Sequence, residues 1–547
     1  MSLLKPTKLR LLSQILFFLL FFFLLIRTEY RGSLRDSASV IRLPEPVGFF
    51  FRIDPLIALS NALASHGLYR GLLASLVILI PTMFLGRFFC GWICPLGSIH
   101  HFFGSLKSEK KRGKQLVESN RYKRWQTTKY YLLVATLVAA LLGTGIVGWL
   151  DPFSFLVRSL GLSVLPSIGY GFRAFLATLD QSKLHAVQVT GSVLSFLLGP
   201  ILLSFKQPYF RQGVWLGLIF IFVVALNFRV SRFWCRAICP LGALLGLVSR
   251  WSIFGLVKDP AHCNDCNRCL LRCQGGDDPQ GGVPWHQPEC HLCMNCVDEC
   301  PERGLQFKFF PAQKIVGANL QRRKVLTGLA AGAAFVPFVR ATPGFAAERH
   351  ERLLRPPGSL DEEFFLSRCI RCGECMKVCP NNALHPALDQ AGVEGLWTPV
   401  LIPRLGYCET SCVLCSQVCP TGAIWETTPQ EKGWSVDLGR SAQPIRLGTA
   451  FYDRGRCLPW AMATDCIVCE EWCPTSPKAI YFHLAEVIDS AGNVKQVKQP
   501  TVDPSRCVGC GACEHACPVQ DRPAVYVTNV GESRSHSNQI LLTRRKA

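Results

Sequence analysis

The sequence predicts an α-helical membrane domain of four to six spans, followed by a series of small α+β domains. Two observations lead to this expectation. Apolar stretches dominate the first 260 of the 547 residues, and one membrane span needs ~20 such residues. From residue 263 onward the chain carries 24 of its 28 cysteines, in six groups of four. Short segments this rich in cysteine fold around bound metal, because they are too small to bury a large apolar core.

Five apolar stretches are the predicted spans. The first is expected to be an anchor and not a cleaved signal peptide, because Arg27 and Glu29 follow it in place of small residues. Residues 159–170 are a sixth candidate, with a position in the membrane interface as the alternative. Basic residues before the first stretch and between 107 and 129 predict that both segments face the cytoplasm. The five stretches are residues 11–26, 71–86 with a continuation to 89, 130–150, 184–205 and 212–228.

The formal net charge of +21 raises the question of a nucleic-acid partner. The basic residues concentrate beside the apolar stretches, where membrane topology accounts for them. The sequence also contains no nucleotide-binding glycine motif and no CxxCH haem attachment motif. We therefore expect the membrane as a partner and no nucleic acid.

An internal repeat relates residues 87–97 (RFFCGWICPLG) to residues 232–242 (RFWCRAICPLG). Each copy follows an apolar stretch, so both should leave the membrane on the same face, which requires four or six spans and disfavours five. One interpretation of the repeat cysteines is a shared metal or redox centre, a further iron–sulfur centre or a thiol relay, at which electrons are taken up. The alternative is that they are small buried packing residues. These cysteines, which lie outside the six groups, are Cys90, Cys94, Cys235 and Cys239.

The first two groups lie in two runs, CNDCNRCLLRC and CHLCMNCVDECP, between residues 263 and 300. Three cysteines at x2 spacing with a fourth after x3 form the bacterial ferredoxin arrangement of two [4Fe–4S] clusters, in which the fourth cysteine of each run ligates the other run's cluster. A zinc site would use separated CxxC pairs. Gln274 replaces the proline expected after the first run. The predicted ligand sets are Cys263, Cys266 and Cys269 with Cys300, and Cys290, Cys293 and Cys296 with Cys273.

Four further groups, each ending in Cys-Pro, follow after residue 368. Two have a wider first gap, but each keeps three thiols and the Cys-Pro, so the sequence predicts six [4Fe–4S] clusters in all. We expect the first group to exchange its fourth ligand with the second, and the third with the fourth. A pairing of the first group with the fourth is the alternative. The groups are Cys369, Cys372, Cys375 and Cys379; Cys408, Cys412, Cys415 and Cys419; Cys457, Cys466, Cys469 and Cys473; and Cys507, Cys510, Cys513 and Cys517.

The segment between the two halves contains Arg322 and Arg323, a mildly apolar run to Val339, and small residues up to Ala347. This three-part pattern is typical of a twin-arginine export signal, which serves proteins that fold with their metal before export. The alternative is the start of an ordinary short helix. In mid-chain the segment would serve as a further span, be cleaved near Ala347, or be a remnant of gene fusion.

Two resemblances follow from these motifs. The paired CxxxCPLG motifs with a two-cluster ferredoxin, over about residues 1–310, resemble the NapH-type membrane quinol dehydrogenases. They are also similar to the polyferredoxin part of the nitrous oxide reductase maturation protein and to a copper-handling oxidase assembly factor. Residues 320–526 resemble the NapG-type polyferredoxin, including its twin-arginine start. The resemblance implies a fusion of the two types, with quinol as the electron source.

The expected function is that of an iron–sulfur electron-transfer protein of the bacterial inner membrane, with cytoplasmic clusters at 263–300 and a periplasmic C-terminal cluster domain. It would oxidise quinol and pass electrons to a periplasmic cytochrome or terminal reductase. The alternatives are an electron donor for metal-centre maturation and a non-catalytic redox scaffold. The predicted domains are residues 1–255 (membrane), 256–310 (two-cluster ferredoxin), 311–350 (hinge or anchor), 351–526 (four-cluster polyferredoxin) and 527–547 (tail).

Six further residues are weaker candidates. Four histidines could ligate haem or quinone, with packing or interfacial roles as the alternative. Two aspartates could accept quinol protons, but as solvated helix ends they would need no function. The residues are His66, His100, His101, His185, Asp54 and Asp151.

Overall fold

The computed structural model divides into two compact units, each built from segments that are distant in sequence. The first unit comprises Met1–Ile26, Val47–Leu160 and Val214–Phe338, and the second comprises Arg27–Pro46, Gly161–Gly213 and Val339–Ala547. The structure describes residues 5–30, 43, 48–67, 70–105, 113–204, 207–279, 285–311, 317–318, 320–342, 350–433, 444–489, 491–535 and 538.

The first unit is mainly helical and contains one antiparallel strand pair, Phe254–Lys258 with Leu305–Phe309. The pair brackets the two cysteine runs, and Leu256, Trp285, Leu292 and Leu305 form a buried core together with two of the cysteines. The described helices are Pro6–Arg27, Phe49–Arg52, Pro55–Ser65, Leu76–Leu85, Phe88–Trp92, Pro95–Ser105, Lys114–Asn120, Thr128–Leu141, Pro152–Ser159, Gly213–Leu226, Phe233–Ala237, Pro240–Val248, Arg268–Leu271, Asn295–Glu299 and Arg322–Ala341.

The second unit combines a helical hairpin with a small α+β region that carries the last four cysteine groups. The hairpin helices are Leu165–Asp180 and His185–Leu202, and the short helices are Glu362–Arg368, Glu374–Lys377, Leu414–Gln417, Leu458–Ala461, Val468–Glu471 and Ala512–Ala516. Three antiparallel pairs join Leu384–Pro386 to Pro399–Leu401, Thr449–Tyr452 to Val525–Thr528, and Ile480–Ile488 to Val494–Val502.

Four described helices are long and apolar enough to cross a membrane, by length and composition: Pro6–Arg27, Pro152–Asp180, His185–Leu202 and Arg322–Ala341. They agree with the predicted membrane-helical class, but they are not the predicted set. The stretch at 130–150 gives only the helix Thr128–Leu141, because the chain turns at Gly143, which has a φ of +83°, and continues as a 3₁₀ turn at Ile146–Trp149. The sixth candidate, 159–170, instead lies inside the longest apolar helix.

The hinge segment is a helix of 20 residues that starts at Arg322. Gly328 and Gly332 face the helix Thr128–Leu141, where a Cβ at Gly332 would lie 2.4 Å from the carbonyl oxygen of Ala135. This glycine pair at GxxxG spacing permits close helix contact, as in membrane helix pairs. The predicted cleavage position near Ala347 lies outside the described residues.

Two features of the structure bear on the predicted boundaries. Residues 161–213, which the predicted linear division places in the membrane domain, group with the C-terminal half. Asn382 donates to the carbonyl of Tyr209 at 2.7 Å, and Gln212 donates to that of Pro386 at 3.0 Å. The segment predicted as a loose tail begins within the paired strand Val525–Thr528, and its Arg534 is nearly buried between carboxylates.

Candidate redox sites

The two CxxxCP copies have the same local structure. In each, a five-residue helix, Phe88–Trp92 or Phe233–Ala237, ends just before the second cysteine, and the following proline begins the next helix. The amide of Cys94 donates to Phe89 at 3.0 Å, and that of Cys239 donates to Trp234 at 2.9 Å. Proline suits the first helical position because its missing N–H would be unpaired there. The repeat in sequence is therefore a repeat in structure.

The structure brings the four cysteines of the two copies together in one buried group. Cys94 lies within electrostatic range of Cys90 and Cys235, and Cys239 lies within range of the other three. None of the four is more than 8% exposed. We refer to Cys90, Cys94, Cys235 and Cys239 as the four-cysteine centre.

Two buried arginines from equivalent repeat positions surround this centre. Arg232 donates to the carbonyl of Cys90 at 2.9 Å, which crosses from the second copy to the first. Arg87 contacts the Cys90 sulfur at 3.8 Å, and a Cβ on Gly242 of the second copy would lie 2.8 Å from the Arg87 guanidinium. Burial raises the pKa of Cys94, Cys235 and Cys239, and the Arg232 charge opposes this rise at Cys94 and Cys235.

The first copy packs directly against the loop that begins the second cysteine run. The Trp92 indole donates to the carbonyl of Leu292 at 2.9 Å, and Arg87 donates to that of Pro288 at 2.6 Å. A Cβ on Gly91 would lie 2.1 Å from the carbonyl oxygen of His291, so only glycine permits this approach. The four-cysteine centre therefore adjoins the loop that carries Cys290.

The second CxxxCP copy lies near Cys273, which belongs to the same predicted ligand set as Cys290. Arg236 lies within electrostatic range of Cys273 and bonds Gln126 at 2.8 Å. Glu289 fixes this region through Lys129, at 2.5 Å, and Tyr130, at 3.0 Å. Burial alone would raise the pKa of Glu289, but the neighbouring Lys129 and Arg87 charges lower it, so the carboxylate stays ionised. The first copy thus contacts the loop of Cys290, and the second lies near Cys273.

In the first ferredoxin module, residues 256–310, Cys269 lies near two thiols of its own run and one of the other run. Burial raises the pKa of Cys269 to about 11, and the nearby thiols that add to this are Cys266, Cys300 and Cys263. The charge of Cys293 adds to the effect of burial in raising the pKa of Cys273, so these two thiols lie close together. The turn after Cys273 lacks proline, and the Cys273 thiol donates to Asp277 at 2.9 Å.

In the C-terminal region, two cavities display crossed grouping directly. One is lined by Cys369, Cys372 and Cys375 together with the fourth cysteine of the next group, Cys419. The other is lined by Cys408, Cys412 and Cys415 together with Cys379. Of the two pairings left open by the sequence, this geometry matches the exchange between the first and second groups.

The third and fourth groups are crossed in the same way. Burial raises the pKa of Cys457 to about 12, and the thiols near it are Cys469, Cys466 and Cys517. The Cys513 thiol lies near Cys510 and Cys507 of its own group and near Cys469 and Cys473 of the third group.

A backbone hydrogen bond connects the two crossed pairs. The amide of Cys408 donates to the carbonyl of Cys510 at 2.9 Å, and the two thiols are within electrostatic range. Cys408 belongs to the set with Cys379, and Cys510 to the set with Cys473. These two ligand sets are therefore adjacent in space, although about 100 residues separate their loops in sequence.

These groupings fit iron–sulfur clusters better than single ions. Among the described residues, no three His, Cys, Asp or Glu side chains are grouped closely enough to hold one metal ion. A [4Fe–4S] cluster instead needs four cysteine thiolates around a larger core. The two cavities each have four cysteines in their lining, which is the number of ligands that one cluster needs.

Two residues beside the sulfurs were missed by the sequence analysis. Lys432 lies 3.5 Å from the Cys408 sulfur and donates to the carbonyls of Glu409 and Cys412 at 2.6 and 2.5 Å. The Tyr452 hydroxyl lies 3.0 Å from the Cys469 sulfur. Charge and hydrogen bonds at the sulfurs tune cluster potentials. No spacing rule relates either residue to its cysteine, so neither could be identified from the sequence.

The weaker candidates divide by position. His66 and His185 are exposed at helix ends, whereas His100 is fully buried and both of its ring nitrogens lack a partner among the described residues. The view of Asp54 and Asp151 as solvated ends is wrong, because both are completely buried and each accepts from the backbone of the helix that it caps.

The fold and these sites define an iron–sulfur electron-transfer protein, and comparisons with known proteins agree. The profile described as "4Fe-4S binding domain" matches residues 68–115 and 212–256, which contain the two CxxxCP copies, and a second profile with that description matches 363–385. The profile described as "4Fe-4S dicluster domain" matches 448–520.

Several curated proteins are similar to part of the chain. The methylamine utilization ferredoxin-type protein MauM of Methylorubrum extorquens is 32% identical over 193 residues, which is 34% of this chain and 76% of MauM. The ferredoxin-type protein NapG of Escherichia coli is 33% identical over 175 residues, 32% of this chain and 69% of NapG. YccM of Escherichia coli is 25% identical over 305 residues, 54% of this chain and 72% of YccM. The chain belongs to the family of ferredoxin-type proteins that includes MauM and NapG. No solved structure matches the chain.

Proposed function

We propose that the chain oxidises quinol at the membrane and passes the electrons through six [4Fe–4S] clusters to a periplasmic acceptor, a cytochrome or a terminal reductase. The observation that carries the proposal is the buried four-cysteine centre and its direct packing on the loops of Cys273 and Cys290. Apolar helices long enough to span a membrane belong to the same chain. Together they offer a route from lipid to the first ferredoxin module.

Residues of the first unit surround the proposed site of electron uptake and offset its negative charge. The Arg87 and Arg232 guanidiniums offset negative charge on the four-cysteine centre, and Arg236 does the same near Cys273. When bound, [4Fe–4S] clusters supply one-electron transfer at potentials set by their surroundings. The proposed ligands are the 24 cysteines in their crossed sets, and the four-cysteine centre is the proposed site of electron uptake.

In the C-terminal region the crossed sets define a linear order. The set that contains Cys419 and the set that contains Cys379 are built from the same two loops, because each takes its fourth ligand from the other's loop. The hydrogen bond between Cys408 and Cys510 joins the set with Cys379 to the set with Cys473. The set with Cys517 comes last. Lys432 and Tyr452 donate toward sulfurs in the second and fourth sets of this order, which favours their reduced states.

The segment from Arg322 is proposed to direct export of the C-terminal region and then to remain as a span. Its exposed arginine pair opens a helix of 20 residues, and its GxxxG face packs against the helix Thr128–Leu141. Such packing would hold the helix in place after export.

The test is the reduction of clusters in anaerobically purified protein, followed by visible and EPR spectroscopy. Quinol and dithionite should both reduce the wild type. In the variant Cys94→Ser with Cys239→Ser, dithionite should still reduce the clusters, whereas quinol should not. If no quinol reduces the wild type, the chain is not a quinol dehydrogenase. If quinol reduces the variant as fast as the wild type, electrons are taken up elsewhere.

A further inference from the structure

The first unit contains a cavity of about 150 Å³ between the helix Pro95–Ser105 and the loop after Cys273. An engineered cavity of about this size accepts benzene, so a single six-membered ring fits. Its lining includes His100, His101, Leu116, Cys273 and Gln274. The cavity thus borders a proposed cluster ligand on one wall and two histidines on another.

Most polar groups in the lining are already paired with the protein. Asn120 donates to the carbonyls of Leu270 and Leu271, and Asn227 donates to that of His100. Within the part of the chain that the structure describes, both ring nitrogens of His100 and the Oε1 of Gln274 are buried and have no partner. Unpaired buried polar groups cost free energy, and a ligand that pairs with them recovers it.

The unpaired groups include two acceptors, one ring nitrogen of His100 and the Oε1 of Gln274, which defines the ligand chemistry. Burial, with the charge of Arg232, lowers the pKa of His100 to about 3, so the ring is neutral at pH 7 and one nitrogen accepts. Burial lowers the pKa of His101 to about 3 as well. Its Nδ1 lies 3.1 Å from Gln14 Oε1 and donates to it, which leaves Nε2 as an acceptor. A small ring with two hydroxyl donors complements these acceptors.

We infer that this cavity is the quinol-oxidation site, an assignment that rests on the proposed function. The quinol ring enters the cavity and its two hydroxyls donate to His100 and to His101. Both O–H bonds then break, and the ring becomes a quinone with two carbonyl groups.

The products of this step are two protons and two electrons. One proton passes to His100 and the other to His101. The electrons leave one at a time to an iron–sulfur centre, which is the oxidant. Cys94 lies six residues before His100, about 9 Å along the helix, so the four-cysteine centre is at the start of the same helix. Cys273 places the next proposed cluster beside the cavity.

The experiment combines photolabelling with reduction kinetics on the full-length protein. An azido-quinone should label peptides that line the cavity, and an excess of unlabelled quinol should prevent this labelling. Leu116→Trp, which fills the cavity, should abolish the labelling. His100→Leu should slow quinol-dependent reduction by ~10²-fold, the usual contribution of a positioned base, and leave reduction by dithionite unchanged. His185→Leu is the matched control at an exposed histidine, and it should match the wild type.

The outcomes separate this site from the proposed function. Labelling elsewhere, or a wild-type rate of quinol-dependent reduction in His100→Leu, would overturn the site while leaving quinol oxidation intact. Failure of every quinol to reduce the wild type would overturn both proposals. If the His100 variant misfolds, Leu116→Trp still tests the site, because its loss of labelling does not require a change at His100.

Discussion

The crossed ligand sets can be tested by two double variants whose iron losses differ. Cys379 and Cys412 line the same cavity, whereas Cys375 lines the other one. Cys379→Ser with Cys412→Ser should therefore remove one cluster, ~4 of ~24 iron atoms. Cys379→Ser with Cys375→Ser should remove two clusters, ~8 iron atoms. The two variants carry the same number of substitutions, so each is the control for the other.

The assay is iron and acid-labile sulfide per chain in anaerobically purified protein, with integrated EPR spins after reduction by dithionite. The single variant Cys379→Ser should lose as much iron as Cys379→Ser with Cys412→Ser, because both substitutions affect one cluster. If each group kept its own fourth cysteine, the two double variants would exchange their values. That exchange would refute the crossed sets and the linear order built on them.

Three further predictions concern export, pH and packing. Arg322→Lys with Arg323→Lys should trap a reporter fused to the C-terminus on the cytoplasmic side, because a receptor reads the arginine pair; an unchanged location would leave the segment as an ordinary anchor. Burial alone would raise the pKa of Glu362, but Arg355 and Arg534 lower it from 4.5 to about 2. Glu362→Gln should therefore reduce the unfolding free energy by up to ~3 kcal/mol at pH 7. In denaturant titrations this difference should be constant above pH ~5 and shrink as the pH falls from 4.5 toward 2, and a difference independent of pH would contradict the ion pairs. Gly91→Ala should destabilise the first ferredoxin module by ~1–3 kcal/mol, because the new Cβ would lie 2.1 Å from the His291 carbonyl oxygen. The variant should lose its clusters at a lower temperature than the wild type, and an unchanged temperature would argue against this close packing.

The cysteine groups could be predicted from the sequence because three of each four ligands are local. Spacing alone left two pairings for the fourth ligands, and only the fold places Cys419 with Cys372 and Cys379 with Cys412. The repeat likewise predicted that the two CxxxCP copies meet. It did not predict that they pack on the loops of Cys273 and Cys290, because that contact depends on backbone carbonyls and on Gly91.

The membrane helices were harder to predict, since hydropathy does not locate turns within apolar sequence. Gly143 ends one predicted span early, and residues 159–170 join an apolar helix that continues to Asp180. The burial of Asp54 and Asp151 was missed for a related reason. An aspartate at the start of a helix is expected to be exposed to solvent. In this structure, tertiary packing buries both of these helix caps.

The most direct measurement of the central claim is the number of iron and acid-labile sulfide atoms per chain in anaerobically purified wild-type protein. Six [4Fe–4S] clusters on the 24 cysteines predict ~24 of each, and a further centre on Cys90, Cys94, Cys235 and Cys239 would raise both numbers. A value near ~8 would show that only two groups bind clusters. The C-terminal region could then not conduct electrons, and the account would be contradicted.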